Sequence, residues 1–149
     1  VSAQSMVAVG VRKVEMEEVF EQSDIISIHA PELPSTYHIV NEASIASMKD
    51  GVILINTARG TAIDEQALAK ALLSGKIKTA CLDVYDPEPP CADNPLLKLD
   101  NCIMTPHIAG QAANGLQRIG YNCYCQLLHF LAGERMQGEI TRDMLNHIA

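Results

Sequence analysis

The sequence predicts an α/β fold of the doubly wound kind, built on a parallel sheet. Two observations carry this. Four short runs are rich in branched or small apolar residues and each ends in a polar or loop residue, and helical patterns lie between them. Such runs are typical of strands covered on both faces of a parallel sheet. Strand and helix in regular alternation imply right-handed crossovers.

Taken in order, residues 15–22 form a short acidic helical stretch, and 24–29 holds the first strand run, Ile25-Ile26-Ser27-Ile28. A Pro-containing loop leads to a helix over 41–48, with Ile45 and Met48 at i, i+3. Val52-Ile53-Leu54-Ile55-Asn56 is the second strand. Asp64 is placed to cap the next helix, whose Ala67, Leu68, Ala71 and Leu72 share one face, and Gly75 stands where a left-handed residue ends it. The third strand covers 78–83 and the fourth 102–105. Between them, 84–101 carries Pro87, Pro89, Pro90 and Pro95, so it is expected to be stiff and extended rather than helical. Loops of that length in compact domains are usually functional or disordered, and four prolines favour function. A longer helix spans about 112–132, with Leu116, Ile119, Cys123, Leu127, Phe130 and Leu131 at helical spacing and Gly133 at its end. The tail, 134–149, starts weakly helical, with Thr141 as a cap and Met144, Leu145 and Ile148 apolar.

Composition bounds the function. The chain has 149 residues, 11 Lys+Arg against 18 Asp+Glu, a net charge of −7 and 48% hydrophobic residues, which fits one globular domain or part of one. An acidic balance argues against a nucleic-acid or anionic-membrane partner, and the longest uninterrupted apolar run, residues 52–55, is far too short to span a bilayer. The five cysteines fit no disulfide framework and point to free thiols in a reducing cytoplasm. No metal-ligand spacing occurs, and neither G-x-G-x-x-G nor a P-loop is present. The sequence starts without Met and in mid-pattern, so a fragment of a longer chain is expected.

In open α/β sheets the ligand lies outside the carboxyl ends of the strands. His29-Ala30-Pro31 follows the first run, Thr57-Ala58-Arg59-Gly60 the second, and Pro106-His107-Ile108-Ala109-Gly110 the fourth. Asp83 ends the third and leads into Asp86-Pro87-Glu88-Pro89-Pro90. An Arg before Gly is commonly a solvated loop cation, but here it directly follows a buried strand at the ligand edge. Glu88 alone is an ordinary loop residue, and His107 alone is as well read as structural. Together they mean more. A carboxylate beside an imidazole fixes its tautomer and makes a proton donor, and a guanidinium forks onto a carboxylate and polarises a carbonyl. Those groups are what reduction of a 2-oxo acid requires of a protein, the hydride coming from a cofactor.

At these residues the sequence resembles the C-terminal half of D-isomer-specific 2-hydroxyacid dehydrogenases. Three long motifs carry the resemblance, in order: SDIISIHAPELPSTYHIVN, MKDGVILINTARGTAIDEQALAKALLSGKIKTACLDVYDPEPP and NPLLKLDNCIMTPHIAG. It implies a Rossmann-like dinucleotide-binding domain over 1–133, lacking its first strands, and a tail, 134–149, that returns toward a substrate domain. It implies Arg59 as the group binding the substrate carboxylate and carbonyl, and His107 as acid/base with Glu88 as partner. Asp83 would meet the nicotinamide carboxamide. Thr57, Ala58 and Arg59, with Ala109 and Gly110, would approach the nicotinamide end, and His29, Ala30 and Pro31 would border the adenosine pocket. The cofactor implied is NAD, with NADP left open, the substrate a small 2-oxo or 2-hydroxy acid, and the assembly a homodimer. The phosphate-binding fingerprint would lie before residue 1, so the 149 residues alone are expected to be neither a competent enzyme nor a tight NAD binder. Glu32 and Thr61 depart from an apolar residue and a glycine common in the family. The rival reading is a dehydrogenase-like NAD-sensing corepressor or binding module, which would use the same fold as a scaffold.

Overall fold

The computed structural model describes residues 3–111 and 114–146. Helix α1 (Ala3–Val7), which the sequence pattern did not announce, precedes α2 (Met16–Gln22), β1 (Ile25–Ile28), α3 (Glu42–Ser47), β2 (Val52–Asn56), α4 (Glu65–Ser74), β3 (Ile77–Leu82), β4 (Cys102–Met104) and α5 (Gly115–Leu131). The four strands form one parallel sheet in the order β1-β2-β3-β4, with Ile26, Leu54, Ala80 and Cys102 in register across it. This is the parallel α/β sheet that the alternation of runs predicts, and the Rossmann-like architecture that the resemblance implies.

Local chemistry explains the boundaries. Asn41 caps α3, accepting from the N–H groups of Ala43 and Ser44, while Ser44 returns a bond to the Asn41 N–H. Asp64 caps α4 through the N–H groups of Gln66 and Ala67. The helix body, EQALAKALLS, consists largely of strong helix formers. Gly75 ends it at φ 78°, a conformation that costs glycine nothing.

The core lies between the sheet and α2–α4. Leu54, Leu68, Val40 and Ile77 are wholly buried in it, with Ile26, Ile28, Ile45, Leu72 and Leu96. The two crossovers β1-α3-β2 and β2-α4-β3, of one hand and running in one direction, place α3 and α4 on the same face, and α2 packs beside α3 there.

One expectation is corrected here. The strands are not covered on both faces among the described residues, because Ile25 and Ile103 on the second face are 59% and 55% exposed. Helix α5 has the predicted apolar spacing, but no residue of it is buried, and Leu116 and Phe130 are each 63% exposed. The spacing was real, yet periodicity reports an apolar stripe and not what covers it. The Pro-rich segment also contains one 3-10 turn, Pro95–Lys98, where Pro95 sits in the first turn and needs no N–H. In the tail the structure has a 3-10 turn, Arg142–Asn146, with the Met144 N–H bonded to the Thr141 carbonyl. Ala112 and Ile148 lie outside the described residues.

Candidate active site

The carboxyl ends of the four strands deliver every residue that the sequence singled out to one edge. Asn56, the last residue of β2, is wholly buried and shapes the turn that follows. Its Oδ1 accepts the Ala58 N–H at 3.0 Å, and its Nδ2 donates to the Arg59 carbonyl at 2.8 Å. The guanidinium of Arg59 is thereby thrown outward. It donates to the Ala58 carbonyl at 2.7 Å and lies 3.9 Å from Glu32, a half-exposed pair of the kind that contributes little to stability.

Gly60 lets this turn pass directly over the backbone of Tyr85, where any Cβ would overlap the Tyr85 carbonyl. The Tyr85 hydroxyl sits between the carbonyls of Leu82 and Thr105, at 2.9 and 2.6 Å, and so joins the ends of β3 and β4. From Tyr85 the Pro-rich loop carries Glu88 back to the edge. One Glu88 oxygen accepts the Tyr85 N–H at 2.9 Å and the other meets His107 Nδ1 at 2.8 Å.

His107 occupies an unusual backbone conformation, φ 53°. A non-glycine residue there carries a penalty of about 1–2 kcal/mol, which persists only where neighbours enforce it. Asp83 is the enforcing group. It is 3% exposed, and its oxygens accept from the Thr105 hydroxyl at 2.5 Å and from the N–H groups of Ile108 and Ala109 at 2.9 and 2.8 Å. Sequence reasoning chose Asp83 for its place at the strand end, but its grip on the histidine loop was not legible there. Asn56, Gly60 and Thr105 were missed as supports. Their only signals were a polar residue closing an apolar strand, a glycine after the arginine, and a threonine before Pro-His.

Arg59, Glu88 and His107 line one cavity of about 190 Å³, together with Glu32, Thr61 and Asp86. A second cavity, about 390 Å³ and mostly apolar, lies along Pro89, Leu97, Met104 and Pro106 and shares Glu88 and His107 with the first. His29 stands apart from these, paired with Ser27 at 2.9 Å, with Ala30 and Pro31 half-buried beside it. Thr57, Ala109 and Gly110 are exposed along the same edge, and open space faces Gly110. Among the described residues no group of three His, Cys, Asp or Glu could hold a metal ion.

Both structural carboxyls are held below the usual carboxylate range. For Asp83, burial opposes ionisation, but the Thr105 hydroxyl and the N–H groups of Ala109 and Ile108 outweigh it. For Glu88 the hydrogen bond to His107 is the largest cause. A carboxyl of depressed folded pKa contributes stability that is complete above its unfolded value, about 4, and is lost as pH falls through the lower folded value. The His107 loop is therefore expected to stay assembled through weakly acidic pH and to loosen only below about pH 4. Urea midpoints measured from pH 7 down to strongly acid conditions should show that acid loss in the wild type and a flatter limb in Asp83→Asn. Parallel curves would remove Asp83 as the clamp.

A parallel α/β sheet that gathers an arginine and a carboxylate-braced histidine at its carboxyl edge has the layout of a ligand-binding α/β domain. The family model for the D-isomer specific 2-hydroxyacid dehydrogenase NAD binding domain matches residues 1–109, and the chain belongs to that family. It is 49% identical over 112 residues to a hydroxypyruvate reductase of Thermotoga maritima, covering 74% of this chain and 37% of that protein. With a D-3-phosphoglycerate dehydrogenase of Archaeoglobus fulgidus it is 42% identical over 120 residues, 80% of this chain and 23% of that one. The D-mandelate dehydrogenase of Rhodotorula graminis superimposes with a TM-score of 0.81 at 32% identity, over 95% of this chain and 42% of that one. The chain thus spans between about a quarter and two fifths of the length of these relatives.

Proposed function

We propose that this chain is the NAD-binding part, residues 1–133 with the tail 134–149, of an NAD(P)-dependent oxidoreductase that interconverts a D-2-hydroxy acid and its 2-oxo acid. The observation that carries the reading is the shared cavity of Arg59, Glu88 and His107. Arg59, half-exposed at this edge, exchanges its contacts with the Ala58 carbonyl and Glu32 for the substrate carboxylate, onto which it forks, and polarises the C2 oxygen. Glu88 accepts from His107 Nδ1, which leaves Nε2 toward the cavity to give a proton to the C2 oxygen in reduction or take it in oxidation. The small residues Ala30, Ala58, Thr57, Ala109 and Gly110 keep the strand ends low, which suits a nicotinamide laid along them. When bound, that cofactor supplies or accepts the hydride.

The open second sheet face and the uncovered stripe of α5 support a setting in which this chain packs against further parts of a longer enzyme. The activity is assigned to that complete enzyme, a homodimer, rather than to the 149 residues alone. Five free cysteines support a cytoplasmic location. The test is Arg59→Lys in the complete enzyme, assayed by nicotinamide absorbance on a panel of 2-oxo acids. The kcat/KM is expected to fall by about 10²-fold or more, since a point charge cannot replace the planar fork. An unchanged kcat/KM would defeat the assignment.

A further inference from the structure

The loop that carries Glu88 is short of its own means of support. Pro87, Pro89 and Pro90 have no N–H to donate. Within 86–94, the described backbone–backbone bonding is the Asn94 N–H to the Cys91 carbonyl. Among the described residues, the hydrogen bonds that tie 86–94 to elements beyond its immediate flanks run through two carboxylates. One is Glu88, on His107. The other is Glu65, the first residue of α4, whose Oε1 accepts the Asp86 N–H at 3.1 Å and whose Oε2 accepts the Asn94 side-chain amide at 2.5 Å. Asn94 is itself 8% exposed. Its Oδ1 caps the turn Pro95–Lys98 through the Leu96 N–H at 2.9 Å, and Leu96 is buried in the core.

One carboxylate therefore spans both ends of the loop and fastens them to a helix rooted in the core. An acidic residue at a helix start has a commoner use, as a partner for the helix dipole. That use needs no contact with a loop about 20 residues further along and leaves both oxygens free for water. Here both oxygens are spent on the loop.

We propose that Glu65 is a positioning residue for the reaction: it clamps the ends of the Pro-rich loop and so sets where Glu88 meets His107. The proposal rests on the dehydrogenase reading above. Glu65→Gln keeps the size but supplies only one acceptor oxygen. The introduced amide group must then face either the Asp86 N–H or the Asn94 amide, donor against donor.

In the complete enzyme, Glu65→Gln is expected to lower kcat on a turned-over 2-oxo acid by about 10-fold, because small misplacements of catalytic groups cost that much or more. The KM for the nicotinamide cofactor should change by less than about two-fold, since the hydrogen bonds of the Glu65 carboxylate go to Asp86 and Asn94 and to none of Thr57, Ala58, Ala109 and Gly110. Two further measurements separate positioning from mere structure. In a Glu88→Gln background the same change should cost nothing more, because the effect passes through Glu88. Adding Asn94→Asp to Glu65→Gln should restore kcat, because the new carboxylate accepts from the introduced amide and can still cap Leu96. Exchange of the Asp86 amide hydrogen should quicken in Glu65→Gln and slow again in the double variant. A full-size loss in the Glu88→Gln background, no loss in the wild-type background, or no rescue by Asn94→Asp would overturn the clamp. Failure of the unsubstituted enzyme to turn over any 2-oxo acid would instead sink the dehydrogenase reading, and this role with it.

Discussion

His107→Gln in the complete enzyme is expected to reduce kcat/KM by about 10²–10⁴-fold, the range that a positioned acid/base contributes. The substitution keeps a polar side chain of similar reach but removes the proton that the C2 oxygen needs. Little else should change. The His107 side chain is 52% exposed, so its loss opens no cavity in the core, and the loop remains held by Asp83 through Ile108 and Ala109. Thermal stability should therefore stay close to that of the wild type while turnover collapses across the pH range. A variant retaining more than about a tenth of wild-type kcat/KM would take His107 out of proton transfer.

Gly60→Ala is expected to produce the largest loss of stability of any glycine-to-alanine change in the chain. The new Cβ would coincide with the Tyr85 carbonyl, which is backbone and has no rotamer by which to yield. Either the Arg59 turn or the start of the Pro-rich loop must move, and overpacking of this kind costs about 3 kcal/mol or more. Urea unfolding checks the size. Gly75→Ala is the reference, because open space surrounds that position and only the left-handed backbone penalty, about 1–2 kcal/mol, applies. If the two variants were equally stable, the approach of Gly60 to Tyr85 would not be as tight as the structure has it. Because Gly60 directly follows Arg59 in the same turn, any folded Gly60→Ala enzyme should also lose substrate affinity.

The elements that follow from local rules were legible in the sequence. Strand β2 coincides with VILIN, and α4 runs from its Asp64 cap to its Gly75 stop as the residues indicate. Residues that contact over long separations were legible only as members of an edge. Arg59, Glu88 and His107 could be placed after three strands because parallel strands present all their carboxyl ends on one side. Asn56 and Gly60 were not legible as supports, since nothing nearby in sequence names the carbonyl that each one meets. Helix α5 shows the converse: its apolar stripe was plain, but the stripe lies open among the described residues.

What the sequence by itself determined is the order of elements from α2 to α5, the cap and stop of α4 and the edge at which chemistry gathers, because these depend on periodicity, propensity and strand polarity within a few residues. Tertiary structure alone decided how that edge is held rigid. Asp83 bends the His107 loop into a left-handed residue, Gly60 packs directly against the Tyr85 backbone, and Glu65 reaches a loop some 20–30 residues along the chain. These are directional contacts of ångström tolerance between segments distant in sequence. Such contacts exist only once the sheet has brought the segments together.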